Sequence, residues 1–119
     1  MRWPIWRVKV AGRSMQPVLD PGDMILVRRT IWPGRALRVR AGQVVVARNP
    51  RQPGQLLVKR ALWPEDGGWW LSSDHPAAGL SSGNPGVGAA DSFRFGPVPV
   101  SLIEGRVLLR YHRGRPAGS

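Results

Sequence analysis

One serine and one lysine are the residues of this chain best suited to do chemistry. Ser14 belongs to the segment Gly-Arg-Ser-Met-Gln-Pro-Val-Leu-Asp-Pro-Gly-Asp at positions 12–23, and Lys59 belongs to Val58-Lys59-Arg60. A lysine that is held neutral can take the proton of a serine hydroxyl, and the serine oxygen can then attack a peptide carbonyl. Such a pair needs no histidine, cysteine or metal. The two segments therefore predict a Ser/Lys-dyad protease.

Ser14 lies where a predicted strand ends and a turn begins. Gly12 allows another part of the backbone to approach closely, and Pro17 prevents a regular helix from following. This local geometry exposes the hydroxyl group and leaves nearby backbone N–H groups free to stabilise an oxyanion. A serine at an ordinary turn has no catalytic role, so the interpretation depends on the lysine.

Lys59 lies in a predicted strand, on the face that also carries Leu57 and Ala61. Burial against apolar side chains removes water from the ammonium group and lowers its pKa from about 10.4 towards neutrality. Arginine could not act as this base, because its guanidinium group stays protonated. The chain has 16 arginines and two lysines, Lys9 and Lys59. The alternative is a lysine that extends from a sheet edge into solvent.

The composition argues against several other kinds of site. The 119 residues include no cysteine, which excludes disulfides and cysteine-bound metals, and the two histidines are His75 and His112. We therefore expect no metal and no cofactor. The pair Asp74-His75 suggests a hydrolase triad with a serine, but neighbouring side chains of an extended chain point apart.

The chain has a net charge of +11, from 18 basic and 7 acidic residues. A charge of this size permits binding to nucleic acid or to an anionic membrane. The arginines are scattered, however, and no nucleic-acid-binding motif surrounds them. We expect solvated arginine faces and no nucleic-acid partner. A non-catalytic basic binding module for nucleic acid or an anionic membrane surface is the alternative function.

Short apolar segments separated by glycine and proline predict an all-β, mostly antiparallel fold. The predicted strands comprise residues 5–10, 24–28, 44–48, 56–62, 69–72 and 106–112. Residues 65–68, Glu-Asp-Gly-Gly, are a predicted hairpin tip. No apolar run approaches the ~18 residues of a membrane span, and the N-terminus lacks the apolar core of a secretory signal. We predict a single peptidase domain at 1–112, which includes a glycine-rich loop at 77–90, and a flexible tail at 113–119.

Four segments resemble the sequence boxes of one family, in the family's order and over most of the chain. Residues 14–23 resemble the nucleophile box Ser-Met-x-Pro-x-Leu-x-x-Gly-Asp, and residues 44–50 resemble a second box more weakly. Residues 58–60 resemble the general-base box, and residues 89–99 resemble the closing box Ser-x-Asp-Ser-Arg-x-x-Gly-x-Val-Pro. The sequence therefore resembles the signal peptidase I superfamily of Ser/Lys peptidases.

This resemblance implies a role for individual residues. Ser14 would be the nucleophile, with its own amide as an oxyanion donor, and Lys59 would be the general base. Gly12, Met15 and Pro17 would complete the nucleophile box. The residues that would support the site are Gly22, Asp23, Arg60, Asp91 and Ser92. Asp91 and Ser92 would buttress the Lys59 strand. The implied fold is a small signal-peptidase-like or SOS-repressor-peptidase-like β fold, with coiled or partly barrel-like sheets.

Three positions depart from the family's pattern. Ala89 lies where the family often has a serine that orients the lysine. Phe93 lies where an arginine pairs with the closing aspartate, Asp91. Gly12 offers no hydroxyl group to an oxyanion hole. These departures concern the rate and the orientation of the base, not the identity of the dyad.

The resemblance also implies a function, which is removal of a short N-terminal leader or propeptide from a precursor protein. No segment resembles the family's membrane anchor or its large inserted domain, and the short, arginine-rich proteins that resemble this chain most are the nickel-type superoxide dismutase maturation proteases. Nickel superoxide dismutase is therefore the candidate substrate. We expect a bacterial, monomeric protein that is cytoplasmic or peripherally membrane-associated and has no transmembrane anchor. Contact of Trp3 and Trp6 with a membrane surface stays open.

Overall fold

Short strands joined by turns make up most of the chain. The computed structural model describes residues 5–29, 31–32, 35–36, 39–75 and 91–112. The strands of these residues are β1 (Ile5–Lys9), β2 (Met24–Arg29), β3 (Ile31–Trp32), β4 (Arg35–Ala36), β5 (Val44–Asn49), β6 (Gln52–Glu65), β7 (Gly68–Ser72), β8 (Val98–Pro99) and β9 (Ile103–His112). Two short helices lie between β7 and β9, namely α1 (Ser92–Phe95) and a 3-10 helix (Val100–Leu102).

Seven of these strands form one sheet in the order β1-β2-β9-β5-β6-β7-β8, and every neighbouring pair is antiparallel. β3 and β4 form a separate hairpin. The predicted all-β, antiparallel fold is confirmed, and the main sheet is open, with β1 and β8 at its two edges. The sequence does not predict β3, β4, β8 or the two helices, because such short elements show no hydrophobic period.

The central strand β5 is buried on both faces, so that it belongs to both apolar clusters of the fold. The first cluster consists of Val10, Met15, Leu19, Ile25, Val27 and Val46. The second consists of Val45, Ala47, Ala61, Leu71, Val98 and Ile103. Because side chains alternate along a strand, the neighbouring strand β6 also has one face against the second cluster. A polar side chain on that face is removed from water.

The hairpin between β6 and β7 has the short turn that the sequence Glu-Asp-Gly-Gly predicts. Asp66 and Gly67 both have positive φ angles, 49° and 74°, as in a type I′ turn. Pairing is regular beside the turn, and a bulge in β6 then shifts the register by one residue, which sets Arg60 opposite Ser72. The bulge therefore decides which residue after β7 comes level with Lys59.

Several predictions concern parts of the chain outside the described residues. These are the loop at 77–90, the tail at 113–119 and the membrane contact of Trp3. Within the described ranges, no helix has both the length and the apolar character that a bilayer-spanning segment needs.

Gly105 provides a test of how closely β9 packs against β2. A Cβ atom at this position would lie 2.5 Å from the carbonyl oxygen of Arg28 and 2.6 Å from a methyl carbon of Val27. Since β2 cannot retreat without losing its hydrogen bonds to β9, we expect Gly105→Ala to lower the free energy of unfolding by about 1–3 kcal/mol. Urea denaturation measures this change.

Gly54→Ala is the matched control, because a Cβ atom there meets no other atom within 4 Å. We expect it to change the free energy of unfolding by less than about 0.5 kcal/mol. A Gly105→Ala protein as stable as the wild type would contradict the close packing of β2 and β9.

Candidate active site

Lys59 lies in β6 with its side chain on the buried face of the strand. It pairs with Val45 of β5, and its neighbours on the same face, Leu57 and Ala61, are also buried. Lys59 itself is 4% exposed. Burial lowers the pKa of Lys59 below its ordinary value, and the negative charge of Asp91 partly opposes this effect. The burial that the strand alternation predicts therefore shifts Lys59 towards its neutral form.

Ser14 lies in the long turn that joins β1 to β2, and its hydroxyl group meets the amine. The distance between Ser14 Oγ and Lys59 Nζ is 2.6 Å, which is within the range for direct proton transfer. The base of the turn is closed by two backbone hydrogen bonds, from Val10 N–H to the Asp23 carbonyl and from Gly22 N–H to the Val10 carbonyl, both 2.8 Å. The predicted nucleophile and base thus come together although they are distant in the chain.

The other residues of the nucleophile box shape this turn. Met15 is 1% exposed and lies in the first apolar cluster, so it anchors the residue next to Ser14 in the core. Gly12 has a φ angle of +78°, a conformation that side chains disfavour. Pro17 lies within the turn, where the chain forms no regular helix. No described residue accepts a hydrogen bond from the Ser14 N–H, which leaves that donor available to an oxyanion.

Asp23 holds the far end of the same turn. Its side chain is 0% exposed, and its carboxylate accepts hydrogen bonds from the Asp20 N–H at 2.9 Å and from Arg110 at 3.3 Å. The preceding Gly22 has a φ angle of 90°, which lets the chain reverse into β2. The predicted supporting residues Gly22 and Asp23 therefore lie where they can fix the turn.

The segment Ser73 to His75, which follows β7, closes the site from the other side and contains a residue that the sequence does not predict. The Ser73 Oγ lies 3.1 Å from Lys59 Nζ and accepts a hydrogen bond from it. The N–H of His75 donates to the Ser14 carbonyl at 2.8 Å. We call these three residues the 73–75 segment. It contacts both members of the dyad.

The middle of the 73–75 segment is held by an ion pair. Asp74 binds the guanidinium group of Arg60 through two hydrogen bonds of 2.9 and 2.7 Å, and Arg60 also donates to the Gly42 carbonyl at 2.7 Å. The bonded carboxylate raises the pKa of Arg60 further above its ordinary value. Asp74 is therefore the ion-pair partner of Arg60.

Asp91 and Ser92 act on β7 and the 73–75 segment rather than on the Lys59 strand directly. One Asp91 oxygen accepts from the Ser73 N–H at 3.2 Å and from the Ser73 hydroxyl at 3.0 Å. Its other oxygen accepts from the Phe93 N–H at 3.1 Å and so caps α1. The Ser92 hydroxyl oxygen accepts from the Leu71 N–H at 2.7 Å. The support that the sequence predicts for β6 is therefore transmitted through its neighbour.

An open groove of about 380 Å³ leads to Ser14. One wall is the end of β1 and the start of the turn, and the other is the first half of β6, residues 55–59. β1 is an edge strand, and β6 pairs with β7 only from Arg60 onwards. Both walls therefore present strand edges that an extended peptide can use. Among the described residues, no three histidine, aspartate or glutamate side chains cluster as a metal site.

A comparison with family models decides what kind of domain carries this site. A model described as Peptidase S24-like matches residues 5–82, which include both members of the dyad. The match covers more than half of the chain. The chain belongs to the Peptidase S24-like family.

Curated relatives agree with membership of this signal peptidase I-like family. The chain is 37% identical to the mitochondrial ATP-independent inner membrane protease subunit 1a of Arabidopsis thaliana, over 92% of this chain and 71% of the relative. It is 30% identical to the mitochondrial inner membrane protease subunit 2 of Danio rerio, over 82% and 59%, and 31% identical to the subunit 2 of Schizosaccharomyces pombe, over 83% and 60%. The chain thus spans about three-fifths of the latter two. These relatives are eukaryotic and give no support to the expected bacterial origin.

The positions that depart from the family's pattern have different outcomes in this Peptidase S24-like domain. Ala89 lies outside the described residues. Phe93 carries no charge to pair with Asp91; it is 75% exposed and packs edge-on against Trp70. The sequence does not predict the contact of Ser73 with Lys59. The Asp-Gly turn is the signal that could have indicated it, because the turn fixes the pairing of β7 with β6 to within one residue.

The protonation of the Lys59 amine can be tested directly. In protein labelled with isotopic lysine, NMR titration should show Lys59 losing its proton at a pH below the ordinary lysine pKa of about 10.4, because burial disfavours the ammonium form. Asp91→Asn removes the charge that raises the pKa of Lys59, so the transition should move to still lower pH. Asparagine also caps helices well, which keeps α1 intact.

Asp66→Asn, at the exposed turn of the hairpin, should leave the Lys59 transition unchanged. Activity that needs the neutral amine should rise as the pH passes upwards through the pKa of Lys59. A Lys59 transition at or above the ordinary lysine pKa of about 10.4 would contradict a base whose pKa is lowered by burial.

Proposed function

We propose that this domain is a serine endopeptidase that removes a short N-terminal leader or propeptide from a precursor protein. Ser14 is the nucleophile and Lys59 is the general base. The observation that carries the proposal is the 2.6 Å contact between the Ser14 hydroxyl and a lysine amine that is 4% exposed. Membership of the Peptidase S24-like family and the names of the relatives support peptide-bond hydrolysis as the reaction.

The acylation step follows from the protonation state of the amine. Neutral Lys59 takes the proton of Ser14, whose Oγ bonds to the scissile carbonyl carbon while the carbonyl oxygen becomes an oxyanion. The Ser14 N–H is available to stabilise that charge. The Lys59 ammonium group then gives its proton to the departing amine as the C–N bond breaks, which leaves an ester between Ser14 and the N-terminal fragment.

Hydrolysis of the ester uses the same two residues. Lys59, neutral again, takes a proton from a water molecule, and the oxygen of that water attacks the ester carbonyl carbon. The C–O bond to Ser14 breaks, and the proton on Lys59 returns to the serine oxygen. The N-terminal fragment leaves as a carboxylic acid, and the dyad is restored.

The substrate binds in the groove as an extended strand. The outer edge of β1 and the half of β6 that precedes its pairing with β7 face the groove, and main-chain groups at such edges bind peptides by adding a strand to the sheet. A leader must therefore be unfolded around the scissile bond, as a flexible N-terminal segment is. The family resemblance implies small side chains just before the cut.

Removal of either dyad group tests the chemistry. Ser14→Ala removes the nucleophile, and Lys59→Met replaces the amine with an uncharged side chain of similar length. We expect each variant to abolish cleavage of a leader-bearing precursor, while circular dichroism and thermal unfolding show an intact fold. Mass spectrometry of the products measures cleavage.

Ser101→Ala, at an exposed position of the 3-10 helix, is the control and should cleave as the wild type does. Cleavage that persists in Ser14→Ala or Lys59→Met would contradict the dyad. If both groups were dispensable and binding to nucleic acid or anionic vesicles fell steeply with salt, the basic-module alternative would be favoured.

The narrower substrate prediction is nickel superoxide dismutase, and it rests on the sequence resemblance alone. The relatives are named as inner membrane proteases. A peripheral association of this chain with a membrane is likewise a proposal. We expect incubation with the nickel superoxide dismutase precursor to yield one new N-terminus. An uncut precursor, together with cleavage of a different leader peptide, would reject this substrate and retain the peptidase.

A further inference from the structure

The amine of Lys59 has a problem of orientation, which the dyad alone does not solve. A neutral amine has one lone pair and two N–H bonds, and it can rotate about its bond to Cε. The amine can take the Ser14 proton only while the lone pair points at the Ser14 hydroxyl. A group that binds one of the N–H bonds at a fixed position would restrict this rotation.

The directions of the hydrogen bonds at Ser73 show that its hydroxyl is such a group. A serine hydroxyl has one hydrogen to donate, and a carboxylate oxygen can only accept. The 3.0 Å contact between Ser73 Oγ and Asp91 therefore uses the hydroxyl hydrogen. The Ser73 oxygen is left to accept from Lys59 Nζ at 3.1 Å. The direction of each bond in the series from Lys59 through Ser73 to Asp91 is thus fixed.

We propose that Ser73 is a positioning residue for the peptidase reaction, and that its hydroxyl group, fixed by Asp91, orients the lone pair of Lys59 towards Ser14. This inference rests on the proposed function. Ser73 itself is well fixed, since its N–H binds the same Asp91 oxygen at 3.2 Å. The hydroxyl also separates the carboxylate from the amine, so that no ion pair forms that would hold Lys59 in its protonated state.

The first test compares the kinetics of three serine variants on a cleaved precursor. Ser73→Ala should lower kcat about 100-fold, as expected when a catalytic group is misplaced by about an ångström, with KM unchanged. Ser73→Thr keeps the hydroxyl and should retain kcat within the same order of magnitude. Ser72→Ala is the matched control and should keep the wild-type kcat, since the Ser72 hydroxyl donates to the Ser73 carbonyl and not to the dyad.

The second test needs no activity. In protein labelled with isotopic lysine, side-chain relaxation should show Lys59 as rigid in the wild type and in Ser73→Thr, and as mobile in Ser73→Ala, with exposed Lys9 unchanged in all three. If Ser73→Ala fails to fold, Ser73→Cys replaces it, because a thiol is a similar shape but a weak acceptor, and the same loss of kcat and rigidity is expected.

The outcomes separate the two proposals. An unchanged kcat or an unchanged Lys59 mobility in a folded Ser73→Ala protein would overturn the role of Ser73. A wild-type protein that cleaves no precursor would count against the proposed function, and the relaxation measurement would still decide whether Ser73 positions the amine.

Discussion

The site depends on one costly arrangement, which is a lysine amine buried inside a β-sheet. Removing an ammonium group from water is unfavourable by several kcal/mol unless a counter-charge is nearby, so burial lowers the pKa of Lys59, and the charge of Asp91 opposes this effect only in part. The strand β5 provides the apolar surroundings, because both of its faces are buried and Val45 pairs directly with Lys59. The same burial that would be a defect for a structural lysine suits the general base that we propose.

The contact between amine and hydroxyl is held from two directions. The turn that carries Ser14 is closed by hydrogen bonds at its base and anchored by Met15 in the core. The 73–75 segment binds Lys59 through a side chain and Ser14 through a backbone N–H. Because both members of the dyad touch the same segment, their separation is set by the hairpin β6–β7 as well as by the turn.

The large positive charge is only partly a solvated surface. Arg60 fixes Asp74, Arg110 binds the buried carboxylate of Asp23, and Arg48 of β5 pairs with Glu104 of the adjacent β9. Two of these pairs support the two segments that converge on the dyad. Arginine suits this role, because it stays charged and its planar group can bind both carboxylate oxygens. The composition alone does not distinguish these arginines from the exposed ones.

The sequence by itself determined the β fold, the positions of the longer strands, and the pairing of Ser14 with Lys59 as candidates. These depend on local patterns, namely the alternation around Lys59, the turn residues after Ser14 and the Asp-Gly hairpin tip, each of which acts over a few residues. The tertiary structure decided that Ser73 is the residue that contacts Lys59 from the side opposite Ser14. A regular hairpin from the Asp66-Gly67 turn would set Ser73 opposite Arg60, but the bulge in β6 moves it one step, level with Lys59. The size of such a shift depends on packing across the whole sheet, and no local pattern records it.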